Sequence, residues 1–575
     1  MSPAKLHAPS LSDAARWRTV LPSETQLAGG LLCLILFGLL IFLLGPLFAI
    51  LSNAVLDKQG NFVGLTNFVV YLQTPSLVQS AWNSLWVSLV VALLTVPAAF
   101  VFAYALTRSC MPAWLTASFR LIALIPLLAP SLLSALSFVQ WFGNQGLLKP
   151  LLLGGSIYGA PGIILAQVYN TFPHALLILI TALSLADGRL YEAANSLGAR
   201  RLRQFLTITL PACKYGLISA VTVVFTYVVA DFGAPKVIGG NFNVLALDVF
   251  KQVIGQQNFS MGAVVGLLLL LPSVLSFIID VVVRKKIRAQ LTARSVPASP
   301  KPDALTDRLL ILYCLVVSIL LLAVIGMALY TSLIKLWPYN LILTLDHYRF
   351  ILFDSEAGKS FKNSLTLSFF AAVFGSLTVF VGAYLSEKTP KLGMLRPLMH
   401  FLAVLSMAVP GLVLGLGYVV FFNHPANPFN PLYQTMTIVV ISTIVHYYTS
   451  GHLTAVTALK QLDNDFEAIS ASLKVPFYQT FWRVTVPVCL PAILDIARYY
   501  FVVSMTTLSC IIFIYTPETI PAAIEILHLD EAGEIGPAAG LACLIVGASV
   551  LICVSYSVCT RVLLNRTQAW RNTTN

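Results

Sequence analysis

Residues 192–211 read EAANSLGARRLRQFLTITLP, a polar and basic segment that lies between two long apolar ones. Apolar residues recur at spacings of three, four and seven where this stretch begins: Leu183, Leu190, Ala193 and Leu197. That pattern predicts a helix with one apolar face. Gly198 is expected to end the helix in a left-handed turn, and a second, basic helix then continues to Pro211. A helix, a glycine and a helix between membrane spans are more typical of a docking surface than of a connector.

The composition indicates an all-α membrane protein. Of the 575 residues, 58% are hydrophobic and 10% are charged, which is too little charge to cover a soluble protein of this size. Apolar stretches of about 20 residues can cross a bilayer, and they predict 12 transmembrane helices in two groups of six. The first group lies near 29–53, 82–107, 118–142, 160–184, 213–231 and 260–283. The second group lies near 309–332, 363–386, 397–422, 434–458, 488–514 and 538–562.

The net charge of +12 is a topology signal and does not indicate a nucleic-acid partner. When the N-terminus is placed inside, 26 of the 35 Lys and Arg residues fall in inner segments and 8 fall in outer loops. This bias follows the positive-inside rule. Both termini and the 192–211 stretch are therefore predicted to be cytoplasmic.

Short sequence words recur in the same order in the two halves of the chain. Asn83-Ser84-Leu85 returns as Asn363-Ser364-Leu365, and Pro130 returns as Pro410. Matches at nearly one offset indicate an internal repeat, and six spans in each unit make the two units parallel. The predicted organisation is a tail at 1–28, a first unit at 29–283, a cytoplasmic linker at 284–308, a second unit at 309–562 and a tail at 563–575.

The opening stretch resembles the EAA loop of binding-protein-dependent ABC importer permeases. The matching positions are Glu192, Ala193, Ala194, Gly198, Ile208, Leu210 and Pro211. The resemblance implies two parallel six-helix permease repeats on one chain, with residues 186–211 as the loop that couples to an ATPase. It also implies separate partners, namely a homodimeric ATPase that binds ATP and Mg, and a periplasmic substrate-binding protein. The implied location is the bilayer of the bacterial inner membrane.

A second loop, at 460–487, occupies the corresponding place in the second unit but fits the pattern less well. At an offset of 276, Ala468 stands where Glu192 stood and Lys474 replaces Gly198. The lysine leaves open whether the left-handed turn is kept, whereas the surviving apolar face predicts that the helix still docks. The residues assigned to this second coupling loop are Phe466, Glu467, Leu473, Lys474 and Pro487.

Polar residues inside the spans are costly in hydrocarbon, so they are expected to face a cavity or a partner helix. The candidates for the translocation path are Asn170, His174, Tyr227, Asp231, Ser442, His446, Thr449, Ser504 and Thr507. Alternatively, any one of these residues serves only to form a hydrogen bond between two packed helices. Asp495 and Arg498, three residues apart, are expected to pair with each other.

The sequence contains no nucleotide-binding or catalytic pattern. Gly358-Lys359-Ser360 resembles the end of a phosphate-binding loop, but Phe353 stands where that loop needs a glycine. The histidines and cysteines show no metal-ligand spacing. We therefore predict that the chain is not an enzyme, and that it has no catalytic residue, metal site or cofactor of its own.

A single chain with two six-span permeases resembles the ferric-iron and 2-aminoethylphosphonate importer group. Within that group, the segments DFGAP at 231–235 and KVPFY at 474–478 look most like the 2-aminoethylphosphonate permeases, so this solute is the predicted substrate. A fused ferric-iron permease is the alternative. A twelve-span secondary carrier of the 6+6 type is the alternative of another class, although the short loop at 108–112 lacks the Gly/Asp/Arg motif expected of it.

Overall fold

The computed structural model describes residues 24–184, 187–290, 303–354, 356–389, 392–463 and 465–567. Most of the predicted tails at 1–28 and 563–575, and residues 291–302 of the linker at 284–308, lie outside the described residues. The described chain is helical apart from loops and one short hairpin, as the apolar composition predicts.

The first half consists of helices in the following order. They are α1 Glu24–Ala54, α2 Thr66–Gln73, α3 Pro75–Arg108, α4 Ala113–Leu124, α5 Ser131–Phe142, α6 Ala160–Ser184, α7 Gly188–Ser196, α8 Arg201–Ala230, α9 Gly233–Ile238, α10 Leu245–Phe250 and α11 Phe259–Gln290. A π-helical turn lies within α1 at Leu40–Leu44 and within α8 at Phe205–Thr209. Short 3₁₀ turns occupy Ile125–Leu128 and Lys149–Leu152.

The second half repeats most of this order and adds a hairpin after its first helix. Its helices are α12 Ala304–Ser332, α13 Asp346–Arg349, α14 Glu356–Lys388, α15 Leu395–Leu405, α16 Gly411–Phe422, α17 Met436–His446, α18 Tyr448–Lys460, α19 Asp465–Ser472, α20 Phe477–Thr506, α21 Ala522–Glu531 and α22 Ile535–Thr567. Two strands, β1 Ile334–Leu336 and β2 Asn340–Leu343, pair antiparallel between α12 and α13. A π-helical turn, Phe481–Thr485, lies within α20 at the position equivalent to the one in α8.

The predicted count of 12 transmembrane helices is not confirmed. The described residues contain 9 helices that are long and apolar enough to cross a membrane, or up to 11 spans if each bent helix pair is one span. The predicted spans 118–142 and 397–422 are the bent ones: α4 meets α5 at 101°, and α15 meets α16 at 108°. The predicted span 434–458 is also divided, because α17 and α18 meet at Tyr447.

The two sharp bends lie at the prolines that recur in the repeat, Pro130 and Pro410. The residues before them, Ala129 and Val409, have extended backbones with ψ of 142° and 113°. Proline disfavours the helical conformation in the residue that precedes it and cannot donate a backbone hydrogen bond. Each bend therefore follows from the sequence.

The repeated Asn-Ser words have the same structural role in both halves. The hydroxyl of Ser84 accepts a hydrogen bond from the amide of Leu245 at 2.7 Å. In the second half, Ser364 accepts from the amide of Ala522 at 2.8 Å. Because these are the first residues of α10 and α21, each serine fixes the start of an outer helix against the second span of its own half.

The first span of each half also packs across to the opposite half. In α1, Leu32 and Leu36 belong to a buried apolar cluster with residues of α14 and α15, such as Val379 and Met399. In α12, the hydroxyl of Tyr313 donates to the carbonyl of Ala98 in α3 at 2.8 Å. The two halves thus exchange their first helices at the border between them.

Candidate coupling loops and central cavity

The first coupling loop is a short helix, a left-handed turn and the start of a long span. The turn is at Gly198, where φ is +67°, as the sequence predicts. The amide of Ala199 closes the turn on the carbonyl of Ala194 at 2.9 Å, which is the 6→1 bond of a Schellman motif. No neighbouring atom lies within 4 Å of a Cβ built at Gly198, so the backbone conformation alone favours glycine there.

The second loop keeps the same turn without a glycine. Lys474 has φ of +54°, and the amide of Val475 bonds the carbonyl of Ser470 at 2.8 Å. Both positions are related to their counterparts in the first loop by the single offset found in the sequence. The left-handed turn, which the sequence left open, is therefore present in the second loop. A residue with a side chain is strained in this conformation by about 1–2 kcal/mol.

Both loops expose the apolar side chains expected of a docking surface. On the first loop, Leu190, Leu197 and Leu202 are exposed, and Leu197 reaches 85%. On the second, the exposed residues are Phe466, Ile469, Leu473, Tyr478 and Trp482. Large apolar groups exposed together at a protein surface mark an interaction site, so both loops are suited to receive a partner.

The motif residues are divided between this exposed surface and the edge of the spans. Glu192 and Ala193 are exposed on α7, while Ala194 and Ile208 are half-buried. Leu210, Pro211 and their second-half counterpart Pro487 are exposed, and they lie just after the π-helical turns of α8 and α20. Glu467 differs from the other members, because its carboxylate points toward Lys388 of α14 at 3.6 Å and is only 22% exposed.

Each loop is seated on an aromatic group that the motif does not include. Phe205, in the π-helical turn of α8, packs on Phe100 and Tyr104 with ring centroids 6.0 and 6.1 Å away. Phe481 packs in the same way on Phe380 and Tyr384, at 6.0 and 4.7 Å. The sequence signal for these partners was the recurrence of Ala103-Tyr104 as Ala383-Tyr384.

A cavity of about 450 Å³ lies between the two halves. Seven of the nine residues predicted for the path line it: Asn170, His174, Tyr227, Asp231, His446, Thr449 and Thr507. The other two, Ser442 and Ser504, lie away from its lining. Ser442 donates to the carbonyl of Cys510 at 3.2 Å, the helix-packing alternative that the sequence left open.

Several side chains of the cavity lining carry polar atoms that are buried. The Nδ2 atom of Asn170 and the Nδ1 atom of His446 are buried and have no hydrogen-bond partner among the described residues. The ring of His174 lies against that of Tyr227, with centroids 4.3 Å apart. Because buried polar groups normally find a partner, the interior is suited to water or a hydrophilic solute.

Asp231 has a second role in addition to lining the cavity. Its Oδ2 atom accepts hydrogen bonds from Gln167 Nε2 at 2.6 Å and from the amide of Ala234 at 3.0 Å. These bonds hold the turn from α8 into α9, which borders the cavity. Gln167 was not singled out in the sequence, because a single glutamine in an apolar span gives no pattern.

The charged groups on the described lining are two carboxylates and one guanidinium, those of Asp231, Asp280 and Arg498. Asp280 accepts a hydrogen bond from Ser219 at 2.6 Å. Arg498 pairs with Asp495 at 2.5 Å, as the three-residue spacing predicts, and its guanidinium lies 4.9 Å from the ring of Tyr556. The positive charge on the wall is thus compensated by a neighbour on its own helix.

Nothing among the described residues forms a group of three or more His, Cys, Asp or Glu that could hold a metal ion. The cavity histidines, His174 and His446, line it together with tyrosines and amides.

The comparisons with known proteins agree with this geometry. Residues 105–289 and 360–568 each match a family described as "Binding-protein-dependent transport system inner membrane component". The ferric transport system permease of Actinobacillus pleuropneumoniae is 27% identical over 556 residues, which cover 94% of this chain and 78% of that protein. An Fe(3+)-transport system permease of Haemophilus influenzae is 23% identical over 444 residues, covering 75% and 80%.

A solved structure gives a weaker likeness. It is a chain from the crystal structure of a bacterial alginate ABC transporter in complex with an alginate pentasaccharide-bound periplasmic protein. The TM-score is 0.37 at 17% identity, over 45% of this chain and 92% of that one. The family match decides against a secondary carrier. Since the two matched segments cover more than half of its residues, this chain belongs to the family of binding-protein-dependent transport system inner membrane components.

Proposed function

We propose that this permease of an ABC importer passes a small, positively charged solute through its central cavity, and that ferric iron is the first substrate to test. The relatives named above are ferric-iron permeases, which favours that substrate at least as well as 2-aminoethylphosphonate. The observation that carries the proposal is the charge of the cavity wall. Asp231 and Asp280 face it, and the only guanidinium on the described lining, Arg498, is already paired with Asp495.

The polar groups of the cavity also fit a hard cation in transit. Carboxylates and other oxygen donors suit hard ions, while imidazole suits iron among the transition metals. Tyr227, Tyr447 and Tyr499 add phenol groups to the same wall as His174 and His446. Single, separated donors can pass an ion from one to the next, whereas a complete ligand set would hold it.

The partners in this proposal act on opposite faces. A homodimeric ATPase, which binds ATP and Mg, would dock on the exposed apolar surfaces of α7 and α19. A periplasmic binding protein would deliver the solute to the outer face. With both coupling loops on the cytoplasmic side of the inner membrane, both termini are cytoplasmic too, as the distribution of Lys and Arg favours.

The second candidate is 2-aminoethylphosphonate, and one feature of the cavity favours it. The guanidinium of Arg498 could bind a phosphonate while the carboxylate of Asp231 binds an ammonium group, because both line the same cavity. Charge-assisted hydrogen bonds of this kind are strong. Arg498 would first have to leave Asp495, which is why this solute stands second.

Uptake by reconstituted vesicles tests the proposal. The chain would be combined with the ATPase and the binding protein encoded by neighbouring genes, and supplied with radiolabelled ferric iron or 2-aminoethylphosphonate. We expect ATP-dependent iron uptake that falls at least tenfold in Asp231→Asn. Uptake of the phosphonate alone would select the second candidate. Uptake of either solute without any ATPase would refute the importer mechanism.

A further inference from the structure

We propose that Arg108 and Lys388 are positioning residues that fasten the coupling helices α7 and α19 to the membrane spans. The inference rests on the proposed function, since it concerns how an ATPase movement reaches those spans. The two residues occupy the last turns of α3 and α14, and the offset between them is the one that relates Asn83 to Asn363. They are therefore equivalent in the repeat, although neither belongs to the coupling motif.

Arg108 joins three elements of the first half. Its Nη2 atom donates to the carbonyl of Leu183, in the last turn of α6, at 3.0 Å. Its guanidinium carbon lies 4.7 Å from the ring centroid of Tyr191 on α7, within the range of a cation–π interaction. The hydroxyl of Tyr191 in turn bonds Thr209 in α8 at 2.9 Å. The coupling helix is thereby held to the ends of α3, α6 and α8.

Lys388 makes the corresponding contacts in the second half with different chemistry. Its Nζ atom donates to the carbonyl of Leu462, just after α18, at 3.1 Å. It also lies 3.6 Å from Oε2 of Glu467 on α19, and the lysine side chain is only 4% exposed. Glu467 is the counterpart of Tyr191 at the offset that relates the two loops, so a carboxylate stands where the first half has an aromatic ring.

The contact of Arg108 with Tyr191 and that of Lys388 with Glu467 should differ in strength. A cation–π contact at a partly exposed site loses a modest attraction when the ring is removed. Removing Glu467 would leave the buried charge of Lys388 without its counter-ion, although its bond to the carbonyl of Leu462 remains, and this is the costlier loss. The helix α19 should therefore depend more on Lys388 and Glu467 than α7 depends on Arg108 and Tyr191, even though the second loop fits the motif less well.

Hydrogen–deuterium exchange on the full chain in lipid nanodiscs, without ATPase or solute, tests the fastening directly. Glu467→Gln should speed amide exchange in α19 at least tenfold and leave α7 unchanged. Tyr191→Ala should speed exchange in α7 severalfold, while Tyr191→Phe, which keeps the ring but loses the hydroxyl bonded to Thr209, should speed it less. Lys388→Arg, which keeps the charge, should retain most of the protection of α19.

A second measurement separates positioning from a merely structural role. In the assembled importer, Glu467→Gln should raise the ATP consumed per solute imported at least threefold, whereas Lys388→Arg, which keeps the charge, should not. Unchanged exchange in α19 with Glu467→Gln overturns the proposal, and so does an equal increase over all helices. Because the exchange experiment needs neither ATPase nor solute, it can fail while the proposed transport function stands, and the reverse also holds.

Discussion

At the residue scale, position 474 places a lysine in a backbone conformation that Gly198 adopts without strain. Both turns close with the same hydrogen bond, so the fold of the loop does not require glycine. We predict that Lys474→Gly stabilises the second turn by about 0.5–1 kcal/mol and that Gly198→Lys destabilises the first by about 1 kcal/mol, since left-handed geometry is costly for residues with a Cβ. Local opening free energies from hydrogen exchange in α7 and α19 would measure both.

Gly198→Ala is the matched control for that pair. A Cβ at Gly198 meets no atom within 4 Å, so any loss in this variant comes from the backbone conformation alone. If Gly198→Ala leaves the opening free energy of α7 unchanged, the turn carries no strain and the reasoning for Lys474 fails as well.

The residues of the two loops show how far the sequence alone could go. Residue counting gave the equivalence of the loops, because one offset relates Gly198 to Lys474 and Pro211 to Pro487. Counting could not predict the left-handed turn at Lys474, because a lysine disfavours that backbone conformation. The turn is held by the helices on either side of it. The contacts of Arg108 and Lys388 were equally out of reach, because each joins helices that lie far apart along the chain.

At the element scale, the sequence predicted neither the direction of the helices around the prolines nor which of the polar candidates lie away from the cavity. Pro130 and Pro410 were visible in the sequence, but the sharp bends at them were not predicted, because hydropathy does not report the direction of a helix. Whether a polar residue lines the cavity depends on how its helix is rotated about its own axis. Ser442 lies on the same helix as His446 but bonds a neighbouring backbone, which spacing alone could not determine.

The outer helices α10 and α21, outside the membrane-spanning helices, make a prediction about pH. Burial raises the pKa of Asp248 and of Asp530 to about 6, and a hydrogen bond to Glu525 raises the pKa of His528. All three groups bind a proton more tightly in the folded protein than in the unfolded one. Folding of both helices should therefore be favoured as pH falls from 7.5 to 5, and weakened as pH rises through about 6.

Hydrogen exchange in α10 and α21 at pH 5 and 7.5, corrected for the chemical rate, measures this effect. We expect greater protection of both helices at pH 5. Asp248→Asn should remove the dependence in α10 and leave it in α21, because the asparagine cannot titrate. Equal protection at both pH values in the unaltered protein would falsify the assignment of these groups.

At the scale of the whole molecule, the exchanged first helices predict that the halves stay together without their linker. A protease site inserted between residues 291 and 302 would allow the linker to be cut in the purified protein. We expect the two fragments to co-elute in mild detergent, because α12 bonds α3 and α5 of the first half. Those bonds run from Tyr313 to Ala98, from Trp141 to Ala323 and from Thr331 to Gln140.

Removing these bonds together, as Tyr313→Phe, Trp141→Phe and Thr331→Val, should make the cut protein dissociate at lower detergent concentration. Thr366→Val is the matched control, since its hydroxyl bonds the carbonyl of Lys362 on its own helix at 2.9 Å. Dissociation of the unaltered protein immediately after cutting would contradict the exchange of helices.

The packing of α1 against α14 also has a consequence for the order in which contacts form during synthesis. This helix leaves the ribosome early, whereas α14, against which it packs, begins only at Glu356, more than 300 residues later. At typical translation speeds of roughly 5–20 residues per second, the interval is roughly 15–65 s. During that time the face that carries Leu32 and Leu36 can be covered only by lipid or by a helper of the insertion machinery. A helix made early is thus among the last to reach its final neighbours.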